Sequence, residues 1–275
     1  MREKAIFFGK KSALTGVISE PQALSAPTLP IVIILNSGLL HKVGPFRLSV
    51  DLARKLQSLD YIVLRMDISG IGDSKMRLLP DSSPASIADL SETMDYLSGA
   101  YHQNKFVLMG LCSGADNSHR VATLDSRVIG TVNLDGYCPK NYKYSIKYYS
   151  NRFSSPRFIK EKILELFKKR CCTEHKGVFD QKSEALARAF PSKEKLCLDF
   201  SSLLERSVRM LYVFTRGVEY YCNYQNQLKD VLAPLDTKDL LQVQMYPYFD
   251  HTFSRGKARK QVIDRITAWL QESFC

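Results

Sequence analysis

No stretch of this 275-residue chain approaches the ~18 consecutive apolar residues that a membrane-crossing helix needs, so no membrane span is expected. Met1 to Lys11 is charged and carries no apolar signal core, and the expected location is cytoplasmic. Cysteine is sparse and unpatterned. There are seven, an odd number, with Cys171 and Cys172 adjacent and no spacing that resembles a disulfide framework or a zinc site. Reduced thiols in or near a core are expected, and neither a metal nor a cofactor. No internal repeat and no long low-complexity segment occurs, which excludes repeat architectures. Acidic residues are the scarcer charge: 28 Asp and Glu stand against 39 Lys and Arg, a net +11. The imbalance is local, because Pro139 to Phe200 holds fifteen Lys/Arg and seven Asp/Glu. Such a surplus is either a solvated helical surface or a landing site for an acidic partner such as an acyl carrier protein, coenzyme A or nucleic acid. No nucleic-acid motif accompanies the charge, so no nucleic-acid binding is expected.

What is present is an ordinary globular composition, 45% apolar and 24% charged, long enough for one large domain or a domain with an insertion. Ala5 to Phe8 and Leu14 to Ile18 read as a hairpin, followed by a Pro, Ser and Ala linker from Pro21 to Pro30. Ile31 to Leu35 is a continuous apolar run of the kind that forms a fully buried parallel strand. Pro45 to Leu59 has helical periodicity, with Phe46, Val50, Leu52, Ala53 and Leu56 on one face. Tyr61 to Met66 reads as a strand. Ser82-Ser83-Pro84 supplies serine caps and an early proline for a helix carrying Ile87, Leu90, Met94 and Leu97. Strands are expected over Lys105 to Met109, Arg127 to Leu134, Met210 to Thr215 and Leu241 to Tyr246. Helices are expected over Ala115 to Asp125, Tyr224 to Leu232 and Lys257 to Phe274.

This alternation predicts an α/β fold, a mostly parallel sheet with helices on both faces and the opening hairpin antiparallel at one edge. The regular order breaks over residues 137–201, where aromatic and basic residues mix and a helix is expected from Pro156 to Arg170. That segment reads as a helical cap over the carboxyl edge of the sheet. The core is then residues 1–136 and 202–275.

The most specific motif is Gly110-Leu111-Cys112-Ser113-Gly114, between an apolar run and a helical pattern. Glycine, residue, nucleophile, residue, glycine at a strand-to-helix corner is a nucleophile elbow. Two further signatures follow the same order as in one known family: Asp67-Ile68-Ser69-Gly70-Ile71-Gly72-Asp73-Ser74 after a strand, and Asp250-His251-Thr252-Phe253 after the last strand. On these three motifs the chain resembles the α/β-hydrolase superfamily over nearly its full length, as a variant with cysteine in the nucleophile position. Dienelactone hydrolases and polyhydroxyalkanoate synthases share that cysteine.

The resemblance implies nucleophile, acid and histidine in that chain order. Cys112 is the expected nucleophile, a thiol whose pKa a helix N-terminus and a histidine lower. Ser113 is the competing hydroxyl but sits one position off the elbow; its N–H is an expected oxyanion donor. His251 is the expected base. The family places its acid after the strand corresponding to Met210–Thr215, so Glu219 is expected, with Asp135 as the alternative. Asn36-Ser37-Gly38 stands where the family has His-Gly, which makes the Gly38 N–H the expected second oxyanion donor and Ser37 the alternative. The Asp67 turn reads as structural, His41 as a loop histidine or one that lines the pocket, and His119 as a surface residue of the elbow helix; His102 and His175 have no supporting context. Tyrosines in Tyr142 to Tyr149 and Tyr220 to Tyr224 either line a pocket for an aromatic or long acyl group or pack cap against core.

These residues point to an esterase, thioesterase or acyltransferase working through a covalent acyl-enzyme, with a small-molecule or carrier-linked acyl substrate. The other readings are a non-catalytic binding protein that retains the pocket, and a lyase or cyclase using the same pocket.

Overall fold

The central apolar runs read as strands divide their side chains between two cores, while the opening hairpin gives Ile6, Phe8, Leu14 and Ile18 to one of them. Ile31, Ile33 and Leu35 join one cluster and Val32 and Ile34 the other; Phe106 and Leu108 part from Val107, Met109 and Leu111 in the same way. Successive strand residues point to opposite faces, so a strand buried on both sides has no polar face to show. Each buried aliphatic side chain contributes about 1.5–3 kcal/mol.

The computed structural model describes residues 2–22, 28–77, 84–153, 188 and 190–275. Its sheet has eight strands: β1 Arg2–Phe8, β2 Leu14–Glu20, β3 Ile31–Ile34, β4 Val63–Asp67, β5 Phe106–Leu111, β6 Val128–Leu134, β7 Arg209–Thr215 and β8 Leu241–Tyr246, in the order β1-β2-β4-β3-β5-β6-β7-β8. β2 runs antiparallel to both β1 and β4, and all other pairings are parallel. Helices α1 (Leu48–Gln57) and α7 (Gly256–Phe274) cover one face with Leu52, Leu56, Ile266 and Trp269. Helices α2 (Ala85–Tyr101), α3 (Ser113–Leu124) and α5 (Lys193–Glu205) cover the other with Leu90, Met94, Val121 and Phe200. Between β6 and β7 the chain forms α4 (Tyr142–Phe153) before α5; α6 (Gln227–Val231) lies between β7 and β8.

Several local expectations differ from what forms. Phe46 is exposed, because a short 3-10 turn over Pro45–Arg47 precedes α1 and leaves that ring off the helix face. Helix α2 takes Pro84 as its N-cap, with no side-chain cap. Helix α6 is shorter than expected and begins only at Gln227. The boundary expected at 201/202 falls inside α5, whose Leu196, Phe200 and Leu203 are fully buried in the main core. That helix belongs to the sheet rather than to a cap. The helix expected over Pro156 to Arg170, His175, the Cys171-Cys172 pair and the serines Ser82 and Ser83 lie outside the described residues. Among the described residues the five cysteines are free thiols, and no helix is long and apolar enough to cross a membrane.

Strand register positions the site. Leu111 of β5 stands opposite Leu134 of β6, and Leu134 opposite Val213 of β7. Cys112, Asp135 and Thr215 therefore emerge at the same carboxyl edge. Two backbone bonds hold that edge together: Cys112 N–H donates to the Leu134 carbonyl at 2.9 Å, and Asp135 N–H to the Val213 carbonyl at 2.8 Å.

Candidate active site

The corner between β5 and α3 is tight enough to exclude side chains. A β-carbon placed on Gly110 lies 2.1 Å from the Gly114 carbonyl carbon, and one on Gly114 lies 2.4 Å from the Asn36 carbonyl oxygen. Both obstacles are backbone, so no side-chain rotation relieves them. Gly114→Ala is therefore expected to push α3 away from the Asn36 turn and to destabilise the fold by about 1–3 kcal/mol. A urea melt of the variant checks this; an unchanged midpoint would contradict it. Between the two glycines Cys112 takes φ 56° and ψ −118°, a conformation that L-residues rarely adopt and that functional sites maintain.

Cys112 is the N-cap residue of α3 without a side-chain cap bond; its half-buried thiol hydrogen-bonds to His251, and the Ser113 N–H faces its sulfur. Burial pushes the thiol pKa up. The His251 hydrogen bond and the Arg188 and His251 charges outweigh it, so the net value lies below the usual thiol range. On the other partner, His251 Nδ1 lies 2.6 Å from Asp135 Oδ2. That bond and the one to Cys112, against burial, push the imidazole up to about 9. The two shifts act in one direction: they favour thiolate beside imidazolium.

Asp135 is fully buried and accepts three hydrogen bonds. The Thr215 N–H donates to Oδ1 at 2.7 Å, the Thr215 hydroxyl to Oδ2 at 2.8 Å, and His251 to Oδ2. Glu219, the expected acid, is not at the imidazole. After β7 the chain turns through a 3-10 segment, Arg216–Val218, that seats the glycine at 217 against the histidine: a β-carbon there lies 2.5 Å from His251 Cβ. With backbone filling that space, Glu219 is left exposed on the wall of a neighbouring cleft. The structure thus brings together Cys112, His251 and the alternative acid, Asp135. The neighbouring Asp250 acts on the loop instead, accepting hydrogen bonds from Thr252 and Ser254 and so fixing the turn that presents His251.

The Asn36-Ser37-Gly38 turn does meet the elbow. The Gly38 N–H donates to Ser113 Oγ at 2.7 Å, so rotation of that hydroxyl uncovers or covers an amide of this turn. Ser37 borders a crevice of only about 10 Å³ under the elbow. Asn36 is buried, donates to Asp67 Oδ1 and accepts from the Ile68 N–H, which ties this turn to the Asp67 turn. There Gly72 is required, since a β-carbon on it would lie 2.3 Å from Asp67 Oδ2.

Sequence reasoning missed Arg188. Its guanidinium pairs with Asp116 in the first turn of α3, donates to the Cys112 carbonyl at 3.2 Å and to the Tyr221 hydroxyl at 3.1 Å, and stacks near Tyr137, Phe190 and Tyr221. A fixed positive charge is thus held beside the thiol. Nothing in the local sequence singles this arginine out of a basic segment. Thr215 was likewise visible only as the last residue of a strand. His119, expected at the surface, is buried where α3 meets α5, 3.1 Å from the Tyr212 hydroxyl.

Among the described residues one group has metal-ligand geometry, His41, Asp67 and Asp73. The Lys42 ammonium stands between them, 2.7 Å from Asp67, 2.6 Å from Asp73 and 2.8 Å from His41. It supplies the positive charge that the two carboxylates need, so this cluster reads as an internal ion-pair network.

No protein-family model matches the sequence, and no curated protein matches it. Solved structures do. An α/β serine hydrolase homologue from Coxiella burnetii aligns with TM-score 0.56 at 14% identity, covering 98% of this chain and 97% of that one. An epoxide hydrolase from Vigna radiata aligns with TM-score 0.57 at 15% identity over 98% of each chain. A hypothetical protein from Pseudomonas aeruginosa aligns with TM-score 0.59 at 15% identity, covering 98% of this chain and 93% of that one. The chain therefore has the α/β-hydrolase fold, and at these identities the likeness is one of fold.

Proposed function

We propose that this chain is an acyl hydrolase or acyltransferase that works through a Cys112 acyl-enzyme, with His251 as the proton carrier and Asp135 as the group that orients it. The observation that carries the reading is a cysteine at positive φ on a strand-to-helix corner, bonded to an imidazole that a fully buried carboxylate holds at 2.6 Å. The thiolate attacks the substrate carbonyl carbon, forming an S–C bond and an oxyanion. The Ser113 N–H is placed to stabilise that oxyanion, and the Gly38 N–H joins it when Ser113 Oγ turns away. As the oxyanion collapses, the bond to the leaving group breaks and His251 delivers its proton there. Neutral His251 then takes a proton from water, or from an acceptor alcohol or amine. The acyl group passes to that oxygen or nitrogen, and the thiolate is restored.

Intact-protein mass spectrometry after exposure to a panel of acyl thioesters tests the proposal. A mass increase of one acyl group, mapped to Cys112, is the expected result. Labelling confined to other cysteines would favour a binding protein that retains the pocket. Release of unacylated rearranged product without an acyl-enzyme would favour a lyase or cyclase. An acidic carrier protein fits the basic 139–200 segment, much of which lies outside the described residues. Such a complex should weaken with salt.

The coupled shifts also set a pH dependence. Acylation needs the thiolate, so its rate rises as the thiol ionises, below the usual thiol range. Protonation of the leaving group needs the imidazolium, so the rate falls as pH passes through about 9. That fall should be steep for oxygen esters, whose alkoxides must be protonated, and shallow for thioesters, whose thiolates leave unaided. Stopped-flow acylation across this range with matched ester and thioester checks it; identical high-pH limbs would contradict the assignment of His251 as acid.

A further inference from the structure

A cleft of about 630 Å³ opens at the carboxyl ends of β7 and β8. One short turn joins it to the nucleophile's machinery. Thr215 donates twice to Asp135, Arg216 forms part of the cleft wall, and the α-carbon of residue 217 abuts His251. Neither Cys112 nor His251 lines the cleft itself, but its wall and the seat of the imidazole are consecutive residues.

The cleft carries three charged side chains, Lys147, Arg216 and Glu219. Among the described residues none of the three has an ion-pair or side-chain hydrogen-bond partner. Neighbouring lysines and acids are different: Lys143, four residues before Lys147, is paired with Asp230 at 2.9 Å. Two uncommitted cations face one carboxylate, so the cleft is net positive. Its remaining walls include Tyr148, Tyr220 and Tyr224. Tyr148 and Tyr224 are held in place, the first stacked on Tyr144 and the second bonded to Asn141 and Asp230. Fixed aromatic rings sharing one lining with a guanidinium and an ammonium suit a flat or extended group that ends in a carboxylate or phosphate.

We propose that this cleft receives an anionic group carried by the substrate away from its reacting carbonyl, with Arg216 and Lys147 as the residues that select it. The inference rests on the Cys112 acyl-enzyme reading for its placement. The shared chemistry is a mono- or dianion on a short arm. It sits either on the acyl side, as a terminal carboxylate, or on the leaving side, as the phosphate of a phosphopantetheine-type thiol.

Two experiments separate the cleft from the reaction. Binding of phenyl phosphate, benzoate and neutral benzyl alcohol to Cys112→Ala protein needs no turnover. The anions are expected to bind at least tenfold more tightly than the alcohol, and more weakly as salt rises. Adding Arg216→Ala and Lys147→Ala is expected to erase that preference while leaving alcohol binding within about twofold. Both side chains are exposed, and a circular dichroism melt confirms that the variant folds. Absence of anion binding, or an anion preference that survives the double substitution, overturns the proposal. The second experiment compares kcat/KM of native and double-substituted protein on two thioesters. One is glutaryl N-acetylcysteamine, with its anion on the acyl side; the other is acetyl phosphopantetheine, with its anion on the leaving side. A tenfold or greater loss on one of them identifies the source. Equal kcat/KM on both, with both turned over, overturns the proposal. Anion binding that the double substitution removes, without turnover of either thioester, would sink the acyl-enzyme reading and leave the anion site standing.

Discussion

Cys112→Ala is expected to abolish both acyl labelling and turnover, and Cys112→Ser to lose at least about a hundredfold in kcat/KM. The alanine variant removes the sulfur that hydrogen-bonds to His251. The serine variant is the more informative. It keeps the elbow geometry and the hydrogen bond, but a hydroxyl stays protonated where the thiol ionises. His251 then loses the anionic partner that helps hold its proton, so its pKa should move down from about 9. Imidazole NMR titration of native and Cys112→Ser protein checks this alongside the kinetics. A cysteine that was merely a core thiol would leave the histidine titration unmoved. Full turnover by Cys112→Ala would end the catalytic reading.

Asp135→Asn is expected to lower the acylation rate by up to about 10⁴-fold. Asp135 accepts from the Thr215 N–H, the Thr215 hydroxyl and His251 Nδ1, and is wholly buried. An asparagine must turn its amide NH₂ towards one of these donors. With the oxygen kept on the Thr215 N–H, the NH₂ meets the imidazole. Nδ1 must then accept, so the ring proton sits on Nε2, facing Cys112. That tautomer cannot take the thiol proton, and the imidazolium loses its counter-charge. The rate of Cys112 alkylation by iodoacetamide should therefore move to higher pH, a change that loss of packing alone would not cause. Glu219→Gln, whose carboxylate lies off the imidazole, should cost less than tenfold on the same thioester. The reverse ranking of these two variants would restore Glu219 as the acid.

The choice between those two carboxylates marks how far the residue pattern could be read. Glycines at 110, 114 and 72 were legible because close backbone contact admits no other residue, and the distances there leave no room for a β-carbon. Strand runs were legible because burial on both faces demands unbroken apolar character. Glu219 was chosen by its position in chain order, but a loop's chain position does not say which way its side chain turns. Backbone of a 3-10 segment occupies the place that Glu219 was expected to fill. Arg188 was not legible at all, since its partners Asp116, Tyr221 and the Cys112 carbonyl lie 33 to 76 residues away.

Local chemistry alone determined the sheet, the sharp corner at Cys112 and the presence of a thiol at its apex, because periodicity and steric exclusion act between near neighbours. The tertiary structure decided which carboxylate reaches His251, which cation stands beside the sulfur and where a cleft opens. Those outcomes depend on the register that sets Leu111 opposite Leu134 and Leu134 opposite Val213. Register brings together the ends of strands that lie far apart along the chain, and a hydrogen bond of 2.6 Å exists only once that assembly is complete.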